Sequence, residues 1–194
     1  MKIVPAILTN DLKELNEMLR KIRDAKKFER VQIDFIDGEY AANRTIRPSE
    51  CDLIPYLPIK FDAQLMVTEN NVWEWAKYAE KVGFERIIPQ VESISEPEKF
   101  DCLAMDMHSP VEVLKPYLKN LKYVLVMSVE PGFGGQEFVN EATEDIKKLS
   151  ELRRVRGYKY EIGADGGIEK EHLKILEEAG ADEAAVGARR VLEW

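Results

Sequence analysis

Residues 127–136 read Met-Ser-Val-Glu-Pro-Gly-Phe-Gly-Gly-Gln, and this stretch gives the first indication of the fold. An apolar run at Tyr123–Val126 leads into it, and a helical pattern begins directly after it at Glu137. Glycines let backbone N–H groups approach a ligand closely, so a glycine-rich loop between a strand and a helix is typical of an anion site, usually for phosphate. A tight turn alone would also account for these glycines, so the interpretation depends on the rest of the chain.

The same alternation of short apolar runs with longer amphipathic ones extends along the whole chain. Eight runs are short, apolar and bounded by Gly, Pro, Asp or Asn, as buried parallel strands are. Eight strands alternating with helices predict an α/β fold, closed as a (β/α)8 TIM barrel, with residues 1–194 as a single domain. The predicted strands are Ile3–Leu8, Val31–Ile36, Phe61–Val67, Arg86–Val91, Cys102–Met107, Tyr123–Val129, Tyr160–Gly163 and Glu183–Val186. The predicted helices are Leu12–Asp24, Val72–Val82, Val111–Leu118, Phe138–Arg154 and Lys170–Ala179.

Two places depart from a regular barrel and predict an abbreviated one. The segment Glu92–Asp101, between the fourth and fifth strands, contains Pro97 and has room for one or two helical turns at most. The sequence also stops at Val191–Trp194, where a closing helix would normally begin. Missing helices would leave apolar barrel wall uncovered, and such a surface tends to be buried by a partner. We therefore expect a homo-oligomer.

Composition excludes several classes of partner. The net charge of −8 argues against binding nucleic acid or an anionic membrane surface. The first residues form too short an apolar run for a signal peptide, and no run approaches the ~18 residues of a membrane span. With only Cys51 and Cys102, a disulfide framework is not expected, and a reduced cytoplasmic location is the default.

Polar residues at the predicted strand ends mark a candidate active site, because TIM barrels place their chemistry there. Gln32 and Asp34 share one face of an otherwise apolar strand, which predicts that both point into the barrel. Asp106 and His108 share a face in the same way, whereas Asp37 precedes a glycine and is equally well explained as a turn residue. Further polar or glycine strand ends are Gln64, Gln90, Glu92, Asp165-Gly166-Gly167 and Gly187-Ala188.

These segments together resemble the ribulose-phosphate 3-epimerase family in order and spacing. The segments that carry the resemblance are Val31–Gly38, Phe61–Val67, residues 127–136 and Ala164–Ile168, with Pro5–Leu8 and Val186–Ala188 at the ends. The resemblance covers nearly the whole chain apart from the two abbreviated regions. The glycine loop in its Met-Ser-Val-Glu-Pro context is its most specific part.

The resemblance implies a defined chemistry on a TIM barrel. Members of the family interconvert ribulose 5-phosphate and xylulose 5-phosphate: one aspartate removes the proton at C3, a second returns a proton on the opposite face, and a divalent metal stabilises the enediolate. Asp34 matches the first aspartate and Asp165 the second. Met66 and Met127 match methionines over the reacting carbons, although buried methionines are commonly core filler. The residues that match the phosphate grip are Gly134, Gly135, Gly166, Gly167, Gly187 and Ala188.

The chain departs from the family where the metal should bind. Gln32 and Gln64 stand in place of the two metal-ligand histidines, Ala6 in place of a serine near the substrate, and Gln90 in place of a common histidine of strand four. A neutral amide is a much poorer ligand than imidazole for transition metals. We therefore predict no tightly bound metal and no other cofactor, with Gln32 and Gln64 contacting the substrate as hydrogen-bond donors to the enediolate.

Without an ion, two carboxylates facing one cavity repel, so one should be protonated at a raised pKa while the other stays ionised.

The sequence leaves the roles of the remaining histidines and arginines open. His108 at the barrel mouth would serve either as an acid–base group or as a helix cap, and His172 is expected on the surface. Arg189 and Arg190 would either reinforce phosphate binding or be solvated.

Three functions are compatible with these residues. The first is a metal-independent epimerase or isomerase of a phosphorylated sugar that uses Asp34 and Asp165, supported by the two retained carboxylates. The second is a non-catalytic phosphosugar-binding protein, supported by the lost histidines and the shortened wall. The third, a phosphosugar aldolase or decarboxylase, would need a lysine inside the barrel, and the nearest candidates, Lys60 and Lys159, lie at strand starts.

Overall fold

The computed structural model, which describes residues 1–194, contains eight parallel strands in the order β4-β3-β2-β1-β8-β7-β6-β5. A parallel bridge between Gln90 and Ala104 joins the two edges. The predicted TIM barrel is therefore confirmed. The strands are β1 Lys2–Ile7, β2 Arg30–Ile36, β3 Lys60–Met66, β4 Arg86–Pro89, β5 Cys102–Met105, β6 Tyr123–Met127, β7 Glu161–Asp165 and β8 Glu183–Gly187.

Five α-helices accompany the strands, and their ends follow from local chemistry. Asp11 begins the first helix, because its carboxylate accepts a hydrogen bond from the Lys13 N–H at 2.7 Å. Gly83, Gly157 and Gly180 end the next three in the left-handed conformation that favours glycine. None of the helices is long and apolar enough to cross a bilayer. The helices are α1 Leu12–Ala25, α2 Glu69–Val82, α3 Glu141–Arg156, α4 Lys170–Ala179 and α5 Ala188–Val191.

The helix predicted at Val111–Leu118 is wrong. The structure has a single 3-10 turn at Val111–Val113, followed by further turns. Pro116 explains the difference, because proline lacks the N–H of an α-helical hydrogen bond and disfavours the helical conformation of the residue before it. The residues predicted to form the apolar side of this helix are nevertheless buried, since Leu114 and Leu118 pack into the core.

The barrel is abbreviated as expected, but its wall is covered. Only 3-10 turns at Val91–Ser93 and Pro97–Lys99 connect β4 to β5, and α5 has four residues. Val91 and Ile94 are buried, and the outward side chains of Leu103 and Met105 on β5 are completely buried. The outward wall at β5 is therefore covered, and self-association stays a prediction without support from exposed apolar wall there.

Charged side chains close the N-terminal end of the barrel. The Arg86 guanidinium is 2.6 Å from a carboxylate oxygen of Glu183 and 3.5 Å from one of Asp62, and its carbon lies 4.0 Å from the centre of the Tyr123 ring. Barrel enzymes keep this end for stability and the opposite end for chemistry. Because these charged residues fill the N-terminal end of the barrel, an active site is expected at the C-terminal ends of the strands.

Candidate active site

A cavity of about 580 Å³ opens at the C-terminal ends of the strands. Its walls come from the ends of β1, β2, β3, β6, β7 and β8, the glycine loop after β6, the start of α1 and the first turn of α5. Asp34 and Asp165 both line it, although each residue is only 8% exposed. The two carboxylates predicted from the sequence therefore face one cavity.

Gln32 lies behind these carboxylates and connects them. Its amide nitrogen donates to Asp34 Oδ1 at 2.8 Å and to Asp165 Oδ2 at 2.6 Å, and it lies 2.9 Å from Gln64 Oε1. The parallel register places Asp34 beside Gln64 on the adjacent strand, so alternation along β2 and β3 brings Gln32, Asp34 and Gln64 to the barrel interior. Asp165 reaches the same point from the end of β7. Gln32 is buried and is not among the residues that line the cavity, whereas Gln64 is.

Gln64 can present either a donor or an acceptor at the same point. With its oxygen facing Gln32, its nitrogen lies 2.9 Å from the Met127 sulfur. With the amide turned over, the nitrogen instead donates to Asp34 Oδ1 at 3.0 Å and to Asp165 Oδ2 at 2.9 Å. The second arrangement removes a close contact between the amide oxygen and two carboxylate oxygens. Gln64 lines the cavity, although it is completely buried.

The side chains at this centre do not fit the transition-metal site that the family resemblance implies. No group of three or more His, Cys, Asp or Glu side chains is arranged to hold a metal ion. The atom between the two carboxylates is the amide nitrogen of Gln32, and an amide nitrogen is a hydrogen-bond donor rather than a metal ligand. Donor chemistry therefore disfavours a transition metal here.

Burial raises the pKa of both carboxyl groups, and it raises that of Asp34 more. Burial, and then repulsion from Asp165, raise the pKa of Asp34 well above its usual value, against the opposing hydrogen bond from Gln32. Burial also raises the pKa of Asp165, to about 6, while hydrogen bonds from Gln32 and the Gly166 backbone lower it. The larger upward shift at Asp34 favours Asp34 as the member of the pair that holds a proton and Asp165 as the member that ionises first.

The glycines predicted to grip phosphate all line the cavity. Gly166 and Gly167 have φ values of +120° and +62°, which favour glycine. A Cβ atom on Gly167 would lie 2.4 Å from the backbone nitrogen of Phe138, so the turn after β7 packs directly against the loop after β6. The two loops thus form one backbone surface on one side of the cavity, and Gly134, Gly135, Gly187 and Ala188 extend it.

Two polar side chains that the sequence interpretation missed hold these loops in place. The Ser128 hydroxyl contacts the Asp165 and Gly166 carbonyl oxygens, at 2.9 and 2.7 Å. The Gln136 amide donates to the Glu130 and Phe133 carbonyl oxygens, at 2.7 and 2.8 Å, and so spans the glycine loop. Both belong to the stretch 127–136, but their targets depend on the folded path of the loops.

Met66, Met127, Arg189 and Arg190 line the cavity, whereas Asp37, His108, His172 and Gln90 do not. Asp37 accepts hydrogen bonds from the Glu39, Tyr40 and Thr68 backbone N–H groups, which is the role of a turn residue.

The two histidines do not line the cavity, and each has a partner. His108 lies 2.6 Å from a Glu130 oxygen in a largely exposed pair. His172, predicted on the surface, is half-buried: its ring stacks on Phe138, and its Nδ1 accepts from the Glu169 N–H at the start of α4. Gln90 is buried without a hydrogen-bond partner for its amide.

The comparisons with known proteins agree with this geometry. A sequence model described as the Ribulose-phosphate 3 epimerase family matches residues 2–191. The chain belongs to the ribulose-phosphate 3-epimerase family. Among curated ribulose-phosphate 3-epimerases, the Bacillus subtilis protein is 29% identical over 97% of this chain and 91% of its own length. The Synechocystis protein is 30% identical over 96% of this chain and 85% of its own length, and the Methanocaldococcus jannaschii protein is 30% identical over 94% and 80%.

Solved structures outside this family share the barrel of this epimerase-family chain. A thiamine phosphate pyrophosphorylase from Pyrococcus furiosus superposes with a TM-score of 0.59 at 18% identity, covering 99% of this chain and 90% of that one. A flavocytochrome b2 variant with bound sulfite has a TM-score of 0.61 at 15% identity, covering 98% and 57%. At such identities the likeness shows the fold alone.

Proposed function

We propose that this epimerase-family chain interconverts the two epimers of a ketose phosphate, such as ribulose 5-phosphate and xylulose 5-phosphate, without a tightly bound metal. The observation that carries the proposal is the pair of carboxylates, Asp34 and Asp165, that line one cavity and share the amide nitrogen of Gln32. The named relatives are epimerases of a phosphorylated sugar, which supports the reaction class.

The reaction needs a base on one face of the carbon beside the carbonyl and an acid on the other. Ionised Asp165 removes the proton of one epimer and becomes neutral. Protonated Asp34 then gives its proton to the opposite face of the enediolate and becomes ionised. The reverse reaction starts from that second state, so each carboxyl group serves as the acid in one direction and as the base in the other.

The charge that develops on the enediolate oxygen needs a donor in place of a metal. Gln64 lines the cavity and can turn its amide nitrogen toward the centre of the site, so we assign it this role. One positioned donor of this kind contributes ~3 kcal/mol to lowering a barrier. Gln32 keeps both carboxylates in place and tunes their protonation. This differs from the substrate contact predicted for it, because Gln32 lies behind the cavity wall.

The phosphate of the sugar is assigned to the surface formed by the two glycine loops and the start of α5. Backbone N–H groups can approach an anion closely there, because the glycines lack a Cβ. Met66 and Met127 supply apolar contacts for the sugar carbons. Self-association and a cytoplasmic location stay predictions, the latter supported by two buried cysteines that form no disulfide.

Solvent-deuterium exchange at C3 of ribulose 5-phosphate, followed by proton NMR in the presence of a chelator, tests the proposal. Exchange that survives the chelator is the expected result. Exchange that appears only after zinc or manganese is added would contradict the metal-independent part. Binding of phosphosugars with no exchange under either condition would favour the non-catalytic binding protein.

A further inference from the structure

Arg189 is a cation at the rim of the cavity, directly after the Gly187-Ala188 turn. It lines the cavity, and its side chain is 76% exposed. The only hydrogen bond that its guanidinium makes joins Nη2 to Glu14 Oε1. A guanidinium has five N–H donors in a planar fork, so Nε and Nη1 remain available for an anion.

Glu14, the partner of Arg189, also lines the cavity and is held in position. The Thr9 hydroxyl donates to Glu14 Oε2 at 2.5 Å and accepts from the Asp11 N–H at 3.1 Å. This fixes the carboxylate at the first turn of α1. A fixed negative charge in this cavity repels a phosphate, and the repulsion is weakened while Arg189 lies beside it.

Arg190, the neighbouring arginine, has a different environment. Its Nη1 donates to the Ile168 carbonyl oxygen at 3.1 Å, and its Nη2 lies 2.9 Å from Glu169. These contacts tie α5 to the segment between β7 and α4. Arg190 is therefore a structural link, and Arg189 is the arginine whose donors can be redirected.

We propose that Arg189 is a phosphate-binding residue whose guanidinium, paired with Glu14 in this structure, turns to the phosphate group of the ligand when it binds. Glu14 is then an internal anion that competes for the same cation. The identity of the ligand as a phosphorylated sugar rests on the proposed function, but the exchange of Glu14 for a phosphate does not require turnover.

Calorimetric titration of the full chain with inorganic phosphate tests this exchange. Arg189→Gln should weaken phosphate binding roughly tenfold, which corresponds to the loss of one charge-assisted hydrogen bond. Glu14→Gln removes the competing charge and should tighten binding several-fold. Two control variants change the net charge equally on exposed pairs away from the cavity: Arg154→Gln, which loses its contact with Glu151, and Glu112→Gln, which loses its contact with Lys115.

The inference is overturned if Arg189→Gln binds phosphate as tightly as the Arg154→Gln control does. It is equally overturned if Glu14→Gln weakens binding, because Glu14 would then hold Arg189 in its binding position rather than compete for it. Titration and exchange measurements separate this inference from the proposed function. Phosphate affinities that shift as expected, in a protein with no exchange at C3, would support the Arg189 site and contradict the epimerase.

Discussion

Gln32 donates a hydrogen bond to Asp165 over 2.6 Å, between residues 133 positions apart in the chain. The same nitrogen contacts Asp34 at 2.8 Å, so one neutral amide connects the two carboxylates proposed to handle the proton. An amide stabilises the ionised form of a carboxylate without adding charge, whereas a metal would ionise both. The pair can therefore hold a single proton, which an acid and a base facing one carbon require.

The pH dependence of exchange should reflect this division of roles. Asp165 has a pKa of about 6, raised by burial, so the rate should rise with pH through this value as the base becomes ionised. At higher pH the rate should fall again, because Asp34, whose pKa burial raises well above its usual value, loses the proton that it must donate. The initial rate of deuterium exchange between pH 4.5 and 10 measures both limbs. A rate independent of pH across pH 5–7 would contradict the assignment of Asp165 as the base.

Histidines at positions 32 and 64 should create a site that holds a transition metal tightly. In the double variant Gln32→His and Gln64→His, two nitrogen ligands join two carboxylates, which is a good set for zinc or manganese. We expect this variant to retain about one zinc ion per chain after dialysis, measured by elemental analysis, and the unmodified protein to retain none.

Gln90→His is the matched control for the restored metal site, because it makes the same substitution at a buried position outside the four-residue centre. It should retain no zinc. Stoichiometric metal in the unmodified protein would show that the two glutamines accommodate an ion after all.

Much of this site could be predicted from the sequence, for identifiable reasons. Asp34 interrupts an apolar strand, and Asp165 precedes two glycines, so both were recognisable without contacts. The direction of the Gln32 amide could not be predicted. Gln32 and Asp34 are both inward positions on one strand and look alike in sequence, although Asp34 faces the cavity and Gln32 lies behind it. The contact between Glu14 and Arg189 joins opposite ends of the chain, so it depends on barrel closure. The effect of Pro116 could have been predicted, since proline limits a helix at any position beyond its first turn.

Replacing Gly167 by alanine should destabilise the fold much more than replacing Gly187 by alanine. Gly167→Ala places a methyl group 2.4 Å from the Phe138 nitrogen, on a backbone with φ of +62°, and should lower the free energy of unfolding by about 2 kcal/mol or more. Gly187→Ala is the control, because a Cβ there meets no atom within 4 Å and φ is −45°. Denaturant unfolding measures both variants, and equal losses would contradict the proposed packing of the two loops.

Removal of the Asp34 carboxylate should abolish deuterium exchange at C3 while leaving the affinity for the phosphosugar nearly unchanged. Asp34→Asn keeps the shape of the side chain but cannot donate or accept the proton, so exchange at C3 should fall by at least about 100-fold. Phosphosugar affinity should stay within a few-fold, because the phosphate surface lies on the β6, β7 and β8 side of the cavity. Asp106→Asn is the matched control: its pKa is also raised by burial, to about 6, but it bonds to Tyr40 outside the cavity. Exchange that persists in Asp34→Asn would remove this residue from the mechanism, whereas a loss in Asp106→Asn as large as in Asp34→Asn would show that the effect does not report on the cavity.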